Sequence, residues 1–156
     1  MIYFDNNKQA YAFEIPECIC TLEDEVWTEY AGTDKWDIID GVFTDITDTP
    51  EYIAKKEAQE KERVGNLKCT KRVFALLLEE LGLDYFEQIA PAIEANRQAK
   101  MEWELCVELE RKNPLIDQLA AQFDVTPEQI DYLFKYANGE ITVEEFKEIA
   151  NESEAE

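Results

Sequence analysis

Residues 35–46 read Lys35-Trp36-Asp37-Ile38-Ile39-Asp40-Gly41-Val42-Phe43-Thr44-Asp45-Ile46, and the chain soon turns to Thr49-Pro50-Glu51-Tyr52. Two apolar runs flank Asp40-Gly41, a pair suited to a type I′ turn because both central residues need positive φ. A β-hairpin is therefore expected. Thr49 as N-cap with Pro50 in the first turn then opens a helix, and Gly65-Asn66 closes it. Strand periodicity stops at this boundary and helical periodicity takes over. The expected fold is α+β: a small N-terminal β-hairpin unit with a short helix, followed by a mostly α-helical bundle.

Upstream of the hairpin, Met1-Ile2-Tyr3-Phe4 is a short apolar run and Asp5-Asn6-Asn7-Lys8 is a turn signal. Tyr11, Phe13 and Ile15 alternate as on a strand, which Pro16 ends, so a first hairpin is predicted. Thr21 to Ala31 is read as a helix, with Thr21 and Asp24 close to a capping box, Val26, Trp27 and Tyr30 as its apolar stripe, and Gly32 as C-cap. These elements make residues 1–48 a β-rich head.

Downstream, Ala54-Lys55-Lys56-Glu57-Ala58-Gln59-Glu60-Lys61-Glu62-Arg63 is polar almost all round. Residues 49–66 are thus expected as a charged connector helix. Residues 67–150 read as an α-helical domain. Thr70 caps a helix over Lys71–Leu81, stopped by Gly82, with Val73, Phe74, Leu77, Leu78 and Leu81 on its apolar face. Asp84–Asn96 is interrupted at Pro91. Arg97–Lys112 is expected as one helix that buries Met101, Trp103, Leu105, Cys106 and Leu109. Thr142 and Glu145 form a capping box for a final helix over Thr142–Ala150, with Val143, Phe146, Ile149 and Ala150 inward. Residues 151–156 are expected as a frayed acidic tail.

Residues 115–138 have the layout of a helix-turn-helix. Leu119 and Ala120 lie on the first helix, Asp124-Val125-Thr126 forms the turn, and Ile130 and Leu133 pack from the second, which Thr126 and Gln129 cap. Its charged residues, Glu128, Asp131 and Lys135, lack the cations that hold phosphates. A structural helical corner without nucleic-acid binding is expected, with Glu128 and Asp131 as exposed carboxylates whose removal changes little.

Composition narrows function by exclusion. The 156 residues include 15 Lys+Arg, 36 Asp+Glu and no His, for a net charge of −21. Residues 1–48 hold 12 acids and 2 bases, residues 49–112 hold 13 and 11, and residues 113–156 hold 11 and 2. Such a chain repels phosphates and anionic membranes, so a charged partner is expected to be basic. Histidine-dependent acid–base, nucleophilic and metal chemistry is excluded. Cys18, Cys20, Cys69 and Cys106 have no zinc-type spacing and are expected as reduced structural thiols. Asp34, Asp37 and Asp40 do not follow a calcium-loop pattern. There is no Gly-rich phosphate loop, and Ser153 is the only serine. The expectation is a protein that is not an enzyme and uses no cofactor and no metal. The N-terminus lacks the basic start and apolar core of a signal peptide, and no apolar run is long enough to span a bilayer.

The first half resembles phage tail-fibre assembly proteins, chaperone-like factors with small β-rich heads and charged helices. The resemblance rests on the Met1-Ile2-Tyr3-Phe4 opening, Leu22-Glu23-Asp24-Glu25-Val26-Trp27-Thr28-Glu29-Tyr30, Trp36-Asp37-Ile38-Ile39-Asp40-Gly41 and Thr49-Pro50-Glu51-Tyr52. The second half is similar to helical proteins of tail modules in Firmicutes prophages, through Arg72-Val73-Phe74, Trp103-Glu104-Leu105-Cys106, Asn113-Pro114-Leu115 and Thr126-Pro127-Glu128-Gln129-Ile130-Asp131. The resemblance implies a tail-associated structural or assembly protein. Its partner would be another tail protein, a fibre or baseplate component, met in the host cytoplasm during assembly or retained in the virion tail. It also implies that Trp27, Tyr30, Trp36 and Phe43 of the head form an exposed aromatic partner-binding surface. The alternative is an acidic inhibitor that mimics nucleic acid and blocks a DNA-binding defence enzyme, as an anti-CRISPR protein does.

Overall fold

The computed structural model describes residues 1–152, so the expected tail of 151–156 lies mostly outside the described residues. The fold is α+β, with N-terminal strands and a helical C-terminal part. The chain forms two compact units, residues 1–59 and 60–156. The division falls inside a single helix.

In the first unit β1 (Ile2–Phe4) is central in an antiparallel sheet, between β2 (Ala10–Tyr11) and β3 (Cys20–Leu22). The β1–β2 turn is built by Asp5, whose Oδ1 accepts from Asn7 N at 2.8 Å and Gln9 N at 2.9 Å. Helix α1 spans Asp24–Tyr30, and β4 (Trp36–Ile39) pairs with β5 (Val42–Asp45). Asp40 at φ 51° and Gly41 at φ 78° make the tight turn read from the sequence. Ile2, Phe4, Cys20 and Ile38 are the buried centre.

Two local expectations fail here. The strand over Tyr11–Ile15 stops at Tyr11, and Phe13 is exposed. The edge of β1 opposite β2 is taken instead by β3, with Tyr3 opposite Thr21 and Ile2 opposite Leu22. Thr21 therefore belongs to a strand, and α1 begins after Glu23 with no side-chain cap. The N-terminal ammonium lies 2.7 Å from Asp24 Oδ2, beside the start of the helix. Pairing with a strand nearly twenty residues away outweighs the local helix signal of Thr21.

Helix α2 (Pro50–Gly65) begins as expected, with Thr49 Oγ1 accepting from Tyr52 N at 3.3 Å. Its last turn enters the core of the second unit through Val64. There β6 (Lys68–Thr70) leads into α3 (Lys71–Glu80), capped by Thr70. A π-helical turn (Tyr85–Ile89) and α4 (Ala90–Ala95) follow, with Pro91 dividing the two in the first turn of α4. Next come α5 (Arg97–Leu105), β7 (Glu108–Glu110), α6 (Pro114–Ala120), a 3₁₀ turn (Ala121–Phe123), α7 (Pro127–Ala137) and α8 (Val143–Glu152).

The single helix expected over Arg97–Lys112 does not form. Helix α5 ends at Leu105, and β7 pairs antiparallel with β6, Cys69 opposite Leu109. Arg111 N donates to Leu67 O and Lys112 N to Gly65 O, both at 2.9 Å, extending the pairing. Leu109 is buried as expected, whereas Met101 and Leu105 face solvent and Trp103 and Cys106 are half-buried. Val143, expected inward, is also exposed, while Phe146 is buried. Helix α7 is the hub of the unit. It packs on α3, α6, α8 and β6, and Ile130, Leu133 and Phe134 are fully buried.

Candidate functional site

The aromatic residues singled out in the head come together, but as a cluster around the buried Phe4. Phe4 lies edge-on to Trp27 at 5.3 Å and contacts Trp36 at 5.4 Å and Phe43 at 5.9 Å, between ring centroids. Trp36 stacks on Phe43 at 5.3 Å, and Trp27 meets Trp36 edge-on at 5.2 Å. Tyr30 closes the group against Phe43 at 5.2 Å, and its hydroxyl donates to Asp45 Oδ2 at 2.8 Å. That hydrogen bond, the largest cause, raises the Tyr30 pKa. All four residues are half-buried. The sites on β4 and β5 follow from local sequence, because Ile38 and Phe43 are directly opposite in the hairpin and share its inner face. Much of the expected exposed surface is therefore the wall of a core.

Several of the head's carboxylates are engaged within it. Lys55 and Lys56 each place Nζ 3.0 Å from Asp34 Oδ2, and their hydrogen bonds hold its carboxyl down at about 2. Lys8 pairs with Asp37 and lowers that carboxyl too. Asp45 accepts from Tyr30 and from both the backbone N and the hydroxyl of Thr47. Among the described residues no group of three or more Cys, Asp or Glu is arranged to hold a metal ion.

In the second unit an apolar cavity of about 40 Å³ lies between Phe74, Leu78, Ile93, Leu109, Ile116 and Ile130. Asn113 and Glu102 also line it, and the Asn113 amide donates to Glu102 at 3.3 Å. A void of that size is too small for a substrate.

The helix-turn-helix-like corner is present. Asp124 at φ 57° turns the chain, and Thr126 and Gln129 form the full capping box. The outer side of α7 is tied into the unit. Arg111 is buried at the end of β7, with Nε donating to Asp131 Oδ1 at 2.5 Å and Nη2 to Pro127 O at 3.0 Å. Its Nη1 lies 3.0 Å from Asp117 Oδ1 on α6. Asp131, expected as an idle carboxylate, is thus the partner of a buried cation. Lys135 sits 3.3 Å from Glu60 and over the Tyr132 ring. Arg63, then Lys135, hold the Glu60 carboxyl at about 2.

No family model, curated protein or solved structure matches this chain.

Sequence reading missed the apolar side chains that the helical unit shows to solvent. Leu105 is 77% exposed and Val107 83%, with Met101 one helical turn before Leu105 also exposed. Two signals could have found them. Ala99, Trp103 and Cys106 at i, i+4 and i+7 form the inward stripe of α5, which leaves Met101 and Leu105 opposite. Glu108-Leu109-Glu110 alternates as a strand with only Leu109 buried, so α5 has to stop before it. The four cysteines are free. Cys18 is exposed, Cys106 half-buried, and Cys20 and Cys69 are buried. Burial, then the charge of Glu108, pushes the Cys69 thiol up to about 12.

Among the described residues no helix is long and apolar enough to cross a membrane.

Proposed function

We propose that this chain is a non-enzymatic assembly protein of a phage tail, which binds a fibre or baseplate protein through the Met101–Val107 edge of its helical unit. The observation that carries the binding role is the exposure of Met101, Leu105 and Val107 on one short segment of the helical unit. Apolar side chains grouped at the surface are what a protein contact covers, and this grouping supports the binding role. The tail itself comes from the resemblance of both halves to tail-module proteins. The same reading places the chain in the host cytoplasm during assembly, with no cofactor, metal, nucleic acid or membrane as partner.

The partner's rim is basic. The net charge of −21 steers a positive surface toward the chain, so association slows as salt rises. The test is co-expression of the tagged chain with fibre and baseplate proteins of a phage tail module, followed by affinity capture. Wild type should retain one of them, and Leu105→Glu with Val107→Glu should release it without loss of helical circular dichroism. Absence of any captured tail protein in repeated trials refutes the tail role. Equal capture by the double variant refutes the proposed edge.

A further inference from the structure

We propose that two copies of this chain pair through α3, packed antiparallel about Leu76. The outward face of α3 carries Arg72, Leu76 and Glu80 at i, i+4 and i+8, all exposed and within one stripe. Beside this face runs an open groove of about 390 Å³, walled by Tyr85, Phe86 and Trp103. Its apolar content is large: Leu76 is 56% exposed and Phe86 78%. Tyr85 holds the wall together, edge-on to Phe86 at 5.2 Å and 5.9 Å from Trp103.

The charges along the groove separate into used and unused. Lys71 Nζ donates to Trp103 O at 2.6 Å, and Glu79 Oε1 accepts from Tyr85 N at 2.8 Å. Arg72 and Glu80 carry no ion pair among the described residues. Both also oppose the helix dipole, with the cation in the first turn of α3 and the carboxylate in the last. A helix with mismatched charges at both ends is self-complementary when a second copy lies antiparallel. About a centre at Leu76, Arg72 of each copy then faces Glu80 of the other, twice, and the two Leu76 side chains meet on the axis. Such an interface is isologous and closes at two copies. Phe86, next to the C-terminal end of α3, comes opposite the basic end of the other copy's groove.

Net charge also favours this face over others. Residues 49–112 hold 13 acids and 11 bases, whereas the flanking segments are strongly acidic. The middle of the chain is where two copies repel least. The pairing is independent of the tail reading, and either proposal can fail alone.

Sedimentation of the full chain in about 0.3 M salt, where long-range repulsion is screened, tests the pairing. The expected result is a rise from 18.2 kDa toward twice that mass as concentration increases. Arg72→Glu alone and Glu80→Arg alone should each weaken association at least tenfold, because each places like charges opposite one another twice. Mixing these two variants should restore it, since both contacts are then between opposite charges. Far-UV circular dichroism equal to wild type for the two variants, which alter exposed side chains, shows that the fold is intact. A wild type that stays monomeric at about 1 mM overturns the proposal. So does a dimer indifferent to both variants, which places the contact elsewhere, or a mixture that stays monomeric, which rejects the antiparallel register. Occupation of the groove by a different protein would leave the isolated chain monomeric and count in the same direction.

Discussion

Replacing Phe4 with Ala removes the centre of the head. The side chain is fully buried and three rings surround it at 5.3, 5.4 and 5.9 Å. Truncating a buried Phe costs about 3–5 kcal/mol in lost transfer energy and residual cavity. The lost ring contacts, worth about 0.5–1.5 kcal/mol each beyond their area, put this site toward the upper end. A unit of residues 1–59 has a total stability of about 3–9 kcal/mol at ordinary values per residue. The substitution therefore leaves the head marginal or unfolded. Trp27 and Trp36 lie in the head and Trp103 in the helical unit. Urea titration by tryptophan emission in a Trp103→Phe background thus reads the head alone. With a slope near 1 kcal/mol per M for so small a unit, the midpoint should fall by more than 2 M or vanish. Phe13→Ala, at an exposed ring, should stay within about 0.5 kcal/mol. A loss below about 1 kcal/mol for Phe4→Ala would refute the assignment of the aromatic cluster as the core of the head.

Four further outcomes are expected. Phe134→Ala, at a fully buried site 5.9 Å from Phe74, should destabilise the helical unit by about 3–5 kcal/mol in thermal or urea melts, and an unaltered melt would remove α7 from the core. Asp131→Ala should cost about 1–2 kcal/mol, since it takes a charged hydrogen bond from buried Arg111 but Asp131 itself is partly solvated, while Glu128→Ala should be silent; equal effects would dissolve the clamp. The depressed Asp34 carboxyl contributes stability that is present above the ordinary Asp pKa and lost as pH falls from about 4 through about 2; Asp34→Asn should lack that loss in acid titrations compared with wild type. A thiol reagent at neutral pH should modify Cys18 first and leave Cys69 untouched until urea unfolds the chain, with early labelling of Cys69 as the contrary result.

Local chemistry made much of the fold legible. Asp40-Gly41, Thr49-Pro50, Thr70, Gly82, Asn113-Pro114 and the Thr126–Gln129 box act on neighbouring residues, and each stands at a turn or helix end as read. The two largest failures were decisions made over long sequence distances. Thr21 had helix-cap chemistry but was claimed by β1, and Glu108–Glu110 fitted a helical stripe but were claimed by Lys68–Thr70. Strands of three residues carry too little periodicity to compete with such local signals. The candidate sites show the same limit. That Trp36 and Phe43 share a face could be inferred from the hairpin, but the gathering of Trp27, Trp36 and Phe43 depended on Phe4, which reaches them only once β1 is central. Leu105 and Val107 were hidden because one long helix would have turned Leu105 inward. Arg111 carried no local signal, and only the approach of α6 and α7 to the end of β7 encloses it.

Hydrogen–deuterium exchange on the full chain, with and without the tail protein captured by affinity, tests the central claim most directly. Amides from Met101 to Val107 should slow at least tenfold in the complex while those of α7, already in the core, hardly change. Failure to obtain a complex with any fibre or baseplate protein, or protection confined to the head with residues 101–107 unaffected, would contradict it.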